Sequence, residues 1–315
     1  MRNKSAILII IICGVVAFVS CEKDLHTYLK YKDYSYSSAD ENGGTWQPIL
    51  IDEGAAINID EPEDISSDSY QAEISALKVS MNEIDTSQKK ALAYWGNNAV
   101  VRWNEIALEL IAKYNLIPGP NDDGTYTLPN PSNPNGPPSF PFAHPPYASR
   151  ALAYLSVAQF DGLISAWHHK YLYNRAAPYQ QDNSITFAYE PNDIPSYPSD
   201  GAVLARVSKK VLLAMFPLEG DYLQKMEDEH LESLLLSGGN VPSDIVSGIT
   251  IGDEISTIAL ARAGNDGMKN AQTPKAISDS IKAAAFERFG WQWDNLEVPI
   301  RPVGLTPLFG KVSMW

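Results

Sequence analysis

The strongest constraint on this chain is the stretch from Ala148 to Ala205, where a long helical pattern leads through a polar crossing to a second helix start. A cationic cluster that includes Lys170 lies on the last turns of the first pattern, and Ser199 begins the second helix. Cations at the end of one helix and a Ser/Gly start on another can together hold an oxyanion, so the stretch predicts an anion site. Apolar residues recur in the first pattern at the spacing of an amphipathic or buried helix: Leu152, Leu155, Val157, Phe160, Leu163, Ile164, Trp167 and Tyr171.

Three segments, AWHHKYLYNRAAP, YPSDGA and PSDIVSG, resemble the ordered motifs of the type 2 phosphatidic acid phosphatase and vanadium-dependent haloperoxidase superfamily. The resemblance covers residues 85–267. It implies an all-α helical bundle with long Pro-rich loops, an extended C-terminal tail, and vanadate or phosphate as the bound group. The implied activity is that of a phosphoric-monoester hydrolase or a haloperoxidase, in a divergent bacterial lipoprotein member.

Some positions of the motifs match the family and others do not. Lys170 matches the Lys of the first motif, whereas Ala177 stands where the family has Arg. Arg175 lies two residues before that position. In the second motif Ser199 matches, but Gly201 stands where the family has His. The resemblance therefore gives these candidates for oxyanion binding: Lys170, Arg175, Ser199, Gly201 and Ser243.

The acids of the remodelled site are Asp200, Asp244 and Glu254, of which the first two replace other motif residues. Asp200 stands for a Gly of the second motif, and Asp244 stands for the Arg of the third. Thr250 replaces the essential His, and Glu254 falls where the supporting acid belongs. Carboxylates close to an anion repel it, and an unactivated Thr is a poor nucleophile. We assign no catalytic residue and expect the inherited phosphatase or haloperoxidase chemistry to be weak or lost.

Three interpretations of the altered site remain open at this point. Lys170 or Arg175 can pair with Asp200 or Asp244 in a buried ion pair that replaces the anion. A divalent metal site can instead draw on Asp200, Asp244, Asp253, Glu254, His168 and His169, although we assign no metal. Residual phosphate chemistry at a remodelled active site is the third interpretation.

The N-terminus resembles a bacterial lipoprotein signal. Arg2 and Lys4 precede the apolar run Ala6–Val19, which is shorter than the roughly 20 residues that span a bilayer. Cys21 would be lipidated and become the mature N-terminus, so we expect an envelope protein anchored to a membrane, the outer membrane first, facing the periplasm or the cell surface. An ordinary secretory signal or an uncleaved anchor is the alternative. Cys13 would leave with the signal, so the mature chain would have no disulfide.

The expected organisation is a signal peptide (1–20), a flexible polar tether (21–62), a helical domain (63–289) and an extended Pro- and aromatic-rich tail (290–315). A Pro-rich loop covers residues 116–146. His230, in an acidic run, is expected at the surface. Helices are predicted over 69–82, 89–115, from Ala148 into the last turns at Lys170, and over 199–216, 221–237, 243–263 and 274–289.

The net charge of the chain and its C-terminal tail limit which partners are possible. A net charge of −14 argues against nucleic acid, which binds clustered Lys and Arg. The tail, with Trp291, Trp293 and Trp315, packs on the helices in one interpretation and stacks on glycans in another. A partner chain, or a missing C-terminal half, docking on residues 290–315 would make the protein a scaffold.

Overall fold

The computed structural model describes residues 39–96, 98–114, 121–125, 127, 145–271, 275–292, 294, 296 and 307–315. Within these ranges the chain is all-α, with α-helices, short 3₁₀ helices and no strand, which confirms the predicted fold class. The residues predicted to form a signal peptide, Cys21, most of the Pro-rich loop and Trp293 lie outside the described residues. None of the helices in the described ranges combines the length and apolarity that a bilayer-spanning helix needs.

The helices follow the predicted order with changed boundaries. Short 3₁₀ helices lie at Glu41–Thr45, Gly54–Ala56, Pro217–Glu219, Met268–Asn270 and Pro307–Lys311. The α-helices are α1 (Asp68–Met81), α2 (Thr86–Trp95), α3 (Ala99–Lys113), α4 (Pro145–Tyr173), α5 (Pro178–Gln181), α6 (Asp200–Met215), α7 (Gly220–Leu236), α8 (Pro242–Asn265) and α9 (Lys275–Phe289).

The single helix predicted over 89–115 is two helices. Gly96 ends α2, and Asn98 adopts a left-handed conformation with φ of 64° before it caps α3. The Asn98 side chain accepts from the Val101 amide at 3.4 Å. Asn tolerates the left-handed region and caps helices, so the Gly-Asn-Asn sequence breaks a pattern that is otherwise continuously apolar.

Helices α4, α6 and α8 form the centre of the domain, and small residues let α6 approach its neighbours closely. A Cβ on Gly248 of α8 would lie 2.2 Å from the carbonyl oxygen of Ser199, and one on Gly162 of α4 would lie 2.7 Å from Val203. The first contact brings the N-terminus of α6 directly against α8. Gly248 therefore fixes where the start of α6 lies relative to the start of α8, and Gly162 allows close packing of α4 on α6.

Replacement of Gly248 by Ala is expected to lower the free energy of unfolding by about 1–3 kcal/mol, because the added methyl group meets backbone that cannot rotate away. Urea denaturation measures the change. Gly264→Ala in the last turn of the same helix is the control, since its Cβ would meet nothing within 4 Å. There we expect no loss, or a gain of about 0.5–1 kcal/mol. Equal losses in both variants would contradict the close-contact argument.

The described part of the expected tether is not free of the domain. Asp161 of α4 is fully buried, and its carboxylate accepts from the amides of Ile49 (2.9 Å), Leu50 (2.5 Å) and Ile51 (3.3 Å). A compact unit begins at Asp40 and runs to the end of the chain. We call residues 40–61 the strap. The prediction of a flexible tether is therefore corrected from Asp40 onward, because a buried carboxylate needs donors and the strap backbone supplies them.

The C-terminal end of the strap contacts α4 and the segment between α4 and α6. His169 is buried, and its Nε2 donates to the carbonyl of Ile57 at 2.8 Å. Burial lowers the pKa of His169, which keeps the ring neutral. The Tyr197 hydroxyl donates to the carbonyl of Asp60 at 2.6 Å. The strap thus connects the middle of α4 with the segment that leads into α6.

His230 is not a surface residue as predicted. It is buried in the core, where its ring stacks on Trp95 with centroids 4.4 Å apart and its Nδ1 accepts from Trp103 Nε1 at 3.1 Å. Burial lowers the pKa of His230 to about 3, although the negative charge of Asp200 acts in the other direction and raises it. The surface position was predicted from the acidic residues around His230. One of them, Glu227, is itself buried and paired with basic side chains of α6, so the acidic run does not mark an exposed face.

This histidine should make the protein less stable in mild acid. The folded-state pKa lies below the ordinary value of 6.5, so on acidification the unfolded chain binds a proton that the folded chain does not. Between pH 6 and 4 this group alone lowers the free energy of unfolding by up to about 1.4 kcal/mol per pH unit. Urea denaturation of His230→Gln should show a shallower pH dependence, and His168→Gln serves as control. Identical slopes for the native chain and His230→Gln would contradict the assignment.

The described end of the tail packs on the domain. Trp315 lies 4.7 Å from Tyr154 between ring centroids, and the Arg262 guanidinium stands 4.5 Å above the indole. The amide of Ser313 donates to the carbonyl of Asp266 at 2.8 Å. Residues 307–311 are a 3₁₀ helix rather than the extended chain predicted for the tail.

Candidate functional site

Lys170, the match to the first motif, is buried and already has acceptors. Its side chain is 2% exposed, and Nζ donates to the carbonyls of Pro195 (2.6 Å) and Ser196 (3.3 Å). Asp200 Oδ1 lies 3.4 Å from the same nitrogen. Two carbonyls and one carboxylate therefore surround the three protons of this ammonium group.

Arg175 and Asp244 form a fully buried ion pair. Arg175 Nη2 lies 2.5 Å from Asp244 Oδ1, and the two side chains are 3% and 0% exposed. The guanidinium stands between the rings of Tyr70 and Tyr197, 5.0 and 4.6 Å from their centroids. The sequence left a buried ion pair, a metal site and a remodelled phosphate site open here, and the structure contains the ion pair.

Asp244 makes further contacts that hold three segments together. Its Oδ1 accepts from the Ser196 hydroxyl at 3.1 Å, and its Oδ2 accepts from the Val241 amide at 2.8 Å. The Asp244 carbonyl accepts from the amide of Ser199 at 3.0 Å. Asp244 of α8 thereby connects Arg175, the segment before α6 and the start of α6.

The start of α6 is capped from within the chain. Ser199 is the N-cap residue, and its hydroxyl accepts from the Ala202 amide at 3.2 Å and lies 3.2 Å from Asn240 Oδ1. A Cβ on Gly201 would lie 2.5 Å from the Leu234 side chain. The imidazole that the family places here would therefore need Leu234 to move.

The start of α8 binds a carboxylate from α1. The amide and the hydroxyl of Ser243 donate to the two oxygens of Glu73, at 2.8 and 2.7 Å. Arg175 Nη2 also donates to the Ser243 hydroxyl, at 3.1 Å. Glu73 had no sequence signal: it lies on an ordinary amphipathic pattern, 170 positions away from Ser243.

Thr250 and Glu254 occupy exposed positions on α8. The Thr250 hydroxyl donates to the carbonyl of Val246 in the same helix, at 3.1 Å. The structure thus brings together the first, second and third motifs through Lys170, Arg175, Ser199, Ser243 and the acids Asp200 and Asp244. In the described ranges, no group of three or more His, Cys, Asp or Glu side chains is arranged to hold a metal ion.

Neither the family models nor the curated proteins give a match to this chain. Among solved structures it is similar to a bacterial vanadium-dependent iodoperoxidase, with a TM-score of 0.53 and 18% sequence identity. The chain has the fold of a vanadium haloperoxidase. The similarity covers 73% of this chain and 59% of the iodoperoxidase, so the chain spans less than two thirds of the length of that protein.

Proposed function

We propose that this chain is a non-catalytic, lipid-anchored envelope protein with the haloperoxidase fold, in which the oxyanion site of the family has become a set of internal ion pairs. It then acts as a binding or accessory module of the envelope. The observation that carries the proposal is the buried pair of Arg175 and Asp244, in which a carboxylate of the chain neutralises the guanidinium.

As arranged, the residues present do not fit vanadate or phosphate. Two cations, Lys170 and Arg175, face three carboxylates, those of Asp200, Asp244 and Glu73, which leaves one net negative charge. Enzymes that handle phosphoryl groups do the opposite and surround the equatorial oxygens with positive charge and N–H donors. A dianion entering here would be repelled, and more strongly in a site that excludes water.

The side chains that would perform the chemistry also differ. Gly201 and Thr250 stand where the resemblance implies histidines. The buried imidazole of His230 is stacked on Trp95, and that of His169 donates to the strap. A nucleophile needs an adjacent base or a lowered pKa, and Thr250 instead donates to its own helix.

Calorimetric titration of the full-length chain with orthovanadate and with phosphate tests the proposal. We expect no binding by the native chain, together with neither phosphate-ester hydrolysis nor peroxide-dependent halide oxidation. Lys170→Ala should destabilise the fold, while Lys89→Ala, at an exposed position, should not. Vanadate binding that Lys170→Ala abolishes would instead support an active enzyme with a remodelled site.

The lipid anchor is proposed from the sequence signal alone. In a bacterial host, Cys21→Ser should abolish incorporation of labelled fatty acid and release the protein from the membrane fraction. Cys13→Ser is the matched control, because it removes a thiol within the apolar run without changing the modified position. Unchanged labelling of Cys21→Ser would favour a secretory signal or an uncleaved anchor.

A second candidate function is docking of a partner chain on α9 and the residues that follow it. The helix carries exposed aromatic side chains at Phe286 (58%) and Phe289 (56%), and Trp291 is 67% exposed. Large apolar side chains exposed close together are typical of interaction surfaces. Phe289→Ser should then change the oligomeric state or the capture of a partner in crosslinking, while Leu218→Ser, at an equally exposed position, should not.

A further inference from the structure

The strap carries two large apolar side chains on its outward face. Trp46 is 51% exposed and Ile49 is 49% exposed. The strap turns Ile51 and Ile57 toward the core, and every other exposed position in it has a polar or charged residue or an alanine. The outward face is therefore polar except at these two neighbouring positions, which the packing of the strap on the domain does not require.

Helix α4 extends this apolar surface beyond the strap. Phe160 and Trp167 of α4 are partly exposed. The ring of Trp46 lies 6.3 Å from that of Phe160 between centroids, and a Cβ on Gly43 would lie 3.6 Å from the ring of Trp167. The amide of Ile49 donates to Asp161, the residue after Phe160. We call the surface formed by Trp46, Ile49, Phe160 and Trp167 the strap face.

The strap face is held in place before anything binds to it. The buried carboxylate of Asp161 accepts from three consecutive amides that begin at Ile49. On the other side of Trp46, a Cβ on Gly44 would lie 2.3 Å from the amide nitrogen of His168, so the backbone there lies directly on α4. A surface fixed in this way has little conformational freedom to lose on binding.

The position of the strap face in the chain indicates a lipid bilayer as its occupant. The proposed lipid would be attached at Cys21, and the compact unit that includes the strap begins 19 positions later, at Asp40. A segment of that length spans at most about 65 Å when fully extended. In the described residues, Trp46 and Ile49 are the first large exposed apolar side chains after Asp40. An anchor at Cys21 would therefore hold the strap closer to the bilayer, along the chain, than any other part of the domain.

We propose that the strap face lies on the surface of the bilayer that carries the anchor, with Trp46 in the headgroup region. Tryptophan is enriched at that depth in membrane proteins, because its ring is apolar and its N–H can still reach a polar partner. The exposed carboxylates of Glu41, Asp52 and Glu53 on the same strap repel anionic headgroups, so the lipids are zwitterionic. The inference rests on the proposed lipid anchor, since so small an apolar surface needs a second attachment to stay on a membrane.

Quenching of tryptophan fluorescence by brominated lipids tests the proposal. The chain is purified from a bacterial host with its anchor and reconstituted into phosphatidylcholine vesicles. We expect part of its emission to be quenched, and more by bromines near the headgroups than by bromines at the chain ends. Trp46→Phe keeps an apolar ring but removes the reporter, so most of the quenched component should disappear. Trp315→Phe removes an indole that is 47% exposed and should keep that component.

A second variant tests the apolar contact itself and keeps the reporter. Ile49→Ser should lower the Trp46-dependent quenching at least about twofold, because apolar area that favours the bilayer is lost. Ala56→Ser, at an exposed position of the same strap, is the matched control and should quench like the native chain. Addition of phosphatidylglycerol to the vesicles should also lower the quenching at low ionic strength, and salt should restore it.

The outcomes separate this inference from the proposed anchor. Absence of quenching in the native chain, or equal quenching of the native chain and Trp46→Phe, would overturn the inference, and fatty-acid labelling that Cys21→Ser abolishes would leave the anchor standing. A photo-crosslinker at position 46 that captures a protein in cells, without quenching in vesicles, would assign the strap face to a protein partner and overturn the inference as well. Trp46-dependent quenching together with labelling that Cys21→Ser does not change would overturn the anchor alone.

Discussion

Asp244→Asn is expected to lower the free energy of unfolding by about 3–5 kcal/mol, because it leaves the buried guanidinium of Arg175 without a counter-charge. The amide keeps the size of the carboxylate and can still accept from Val241, so the loss reports on charge rather than on packing. Urea denaturation at neutral pH measures it. The Arg175–Asp244 pair is 3% and 0% exposed, which is why so large an effect is expected.

The matched control is Glu105→Gln, which breaks the partly exposed pair with Arg102 on α3. There we expect at most about 1 kcal/mol, since solvent screens such pairs. The double variant Arg175→Met, Asp244→Leu should recover only part of the loss, because an apolar pair needs no desolvated charges but the Ser196 hydroxyl and the Val241 amide lose their acceptor. If Asp244→Asn costs no more than Glu105→Gln, the pair is not what closes this site.

Asp161→Ala is expected to release the strap from α4. The carboxylate accepts from three consecutive amides, of Ile49, Leu50 and Ile51, and a buried amide left without an acceptor costs about 1–3 kcal/mol. The strap can avoid that cost by detaching, so we expect faster hydrogen exchange over residues 47–53 and faster cleavage at Glu53 by a glutamyl endopeptidase. The free energy of unfolding should fall by at least about 1 kcal/mol.

Asp52→Ala removes an exposed carboxylate from the strap itself and is the control. It should leave both exchange and cleavage near the native values. Asp161→Asn should lie between the native chain and Asp161→Ala, because the amide keeps one acceptor oxygen but turns a donor toward the strap. Protection of residues 47–53 that survives Asp161→Ala would show that apolar contacts of Ile51 and Ile57 hold the strap instead.

The parts of the fold that follow from local pattern could be predicted from the sequence. Periodic apolar residues located α4 and α6, regularly spaced small residues located α8, and Ser199 was recognisable as an N-cap. The break at Asn98 was missed because apolar periodicity continues on both sides of it. The strap was missed because its apolar residues, among them Ile49 and Ile57, follow no helical or strand period and lie among acids.

The site could be predicted only where its residues lie in the motifs. Lys170, Arg175 and Asp244 were candidates from their positions, and a buried ion pair was one of the stated interpretations. Glu73 and Asn240 could not be found, because each contributes through a contact with a distant segment rather than through a local pattern. Asp161 did leave a signal, since an acid on the apolar face of a long helix implies donors from elsewhere in the chain.

The neutrality of the Arg175–Asp244 pair has an evolutionary consequence. Replacing Asp244 by Arg, the residue that the resemblance implies there, would place two guanidinium groups together in a buried site, while replacing Arg175 first would leave the carboxylate unpaired. Either single substitution is expected to destabilise the fold. Because the two positions depend on each other in this way, chains related to this one are expected to change both residues together rather than one at a time.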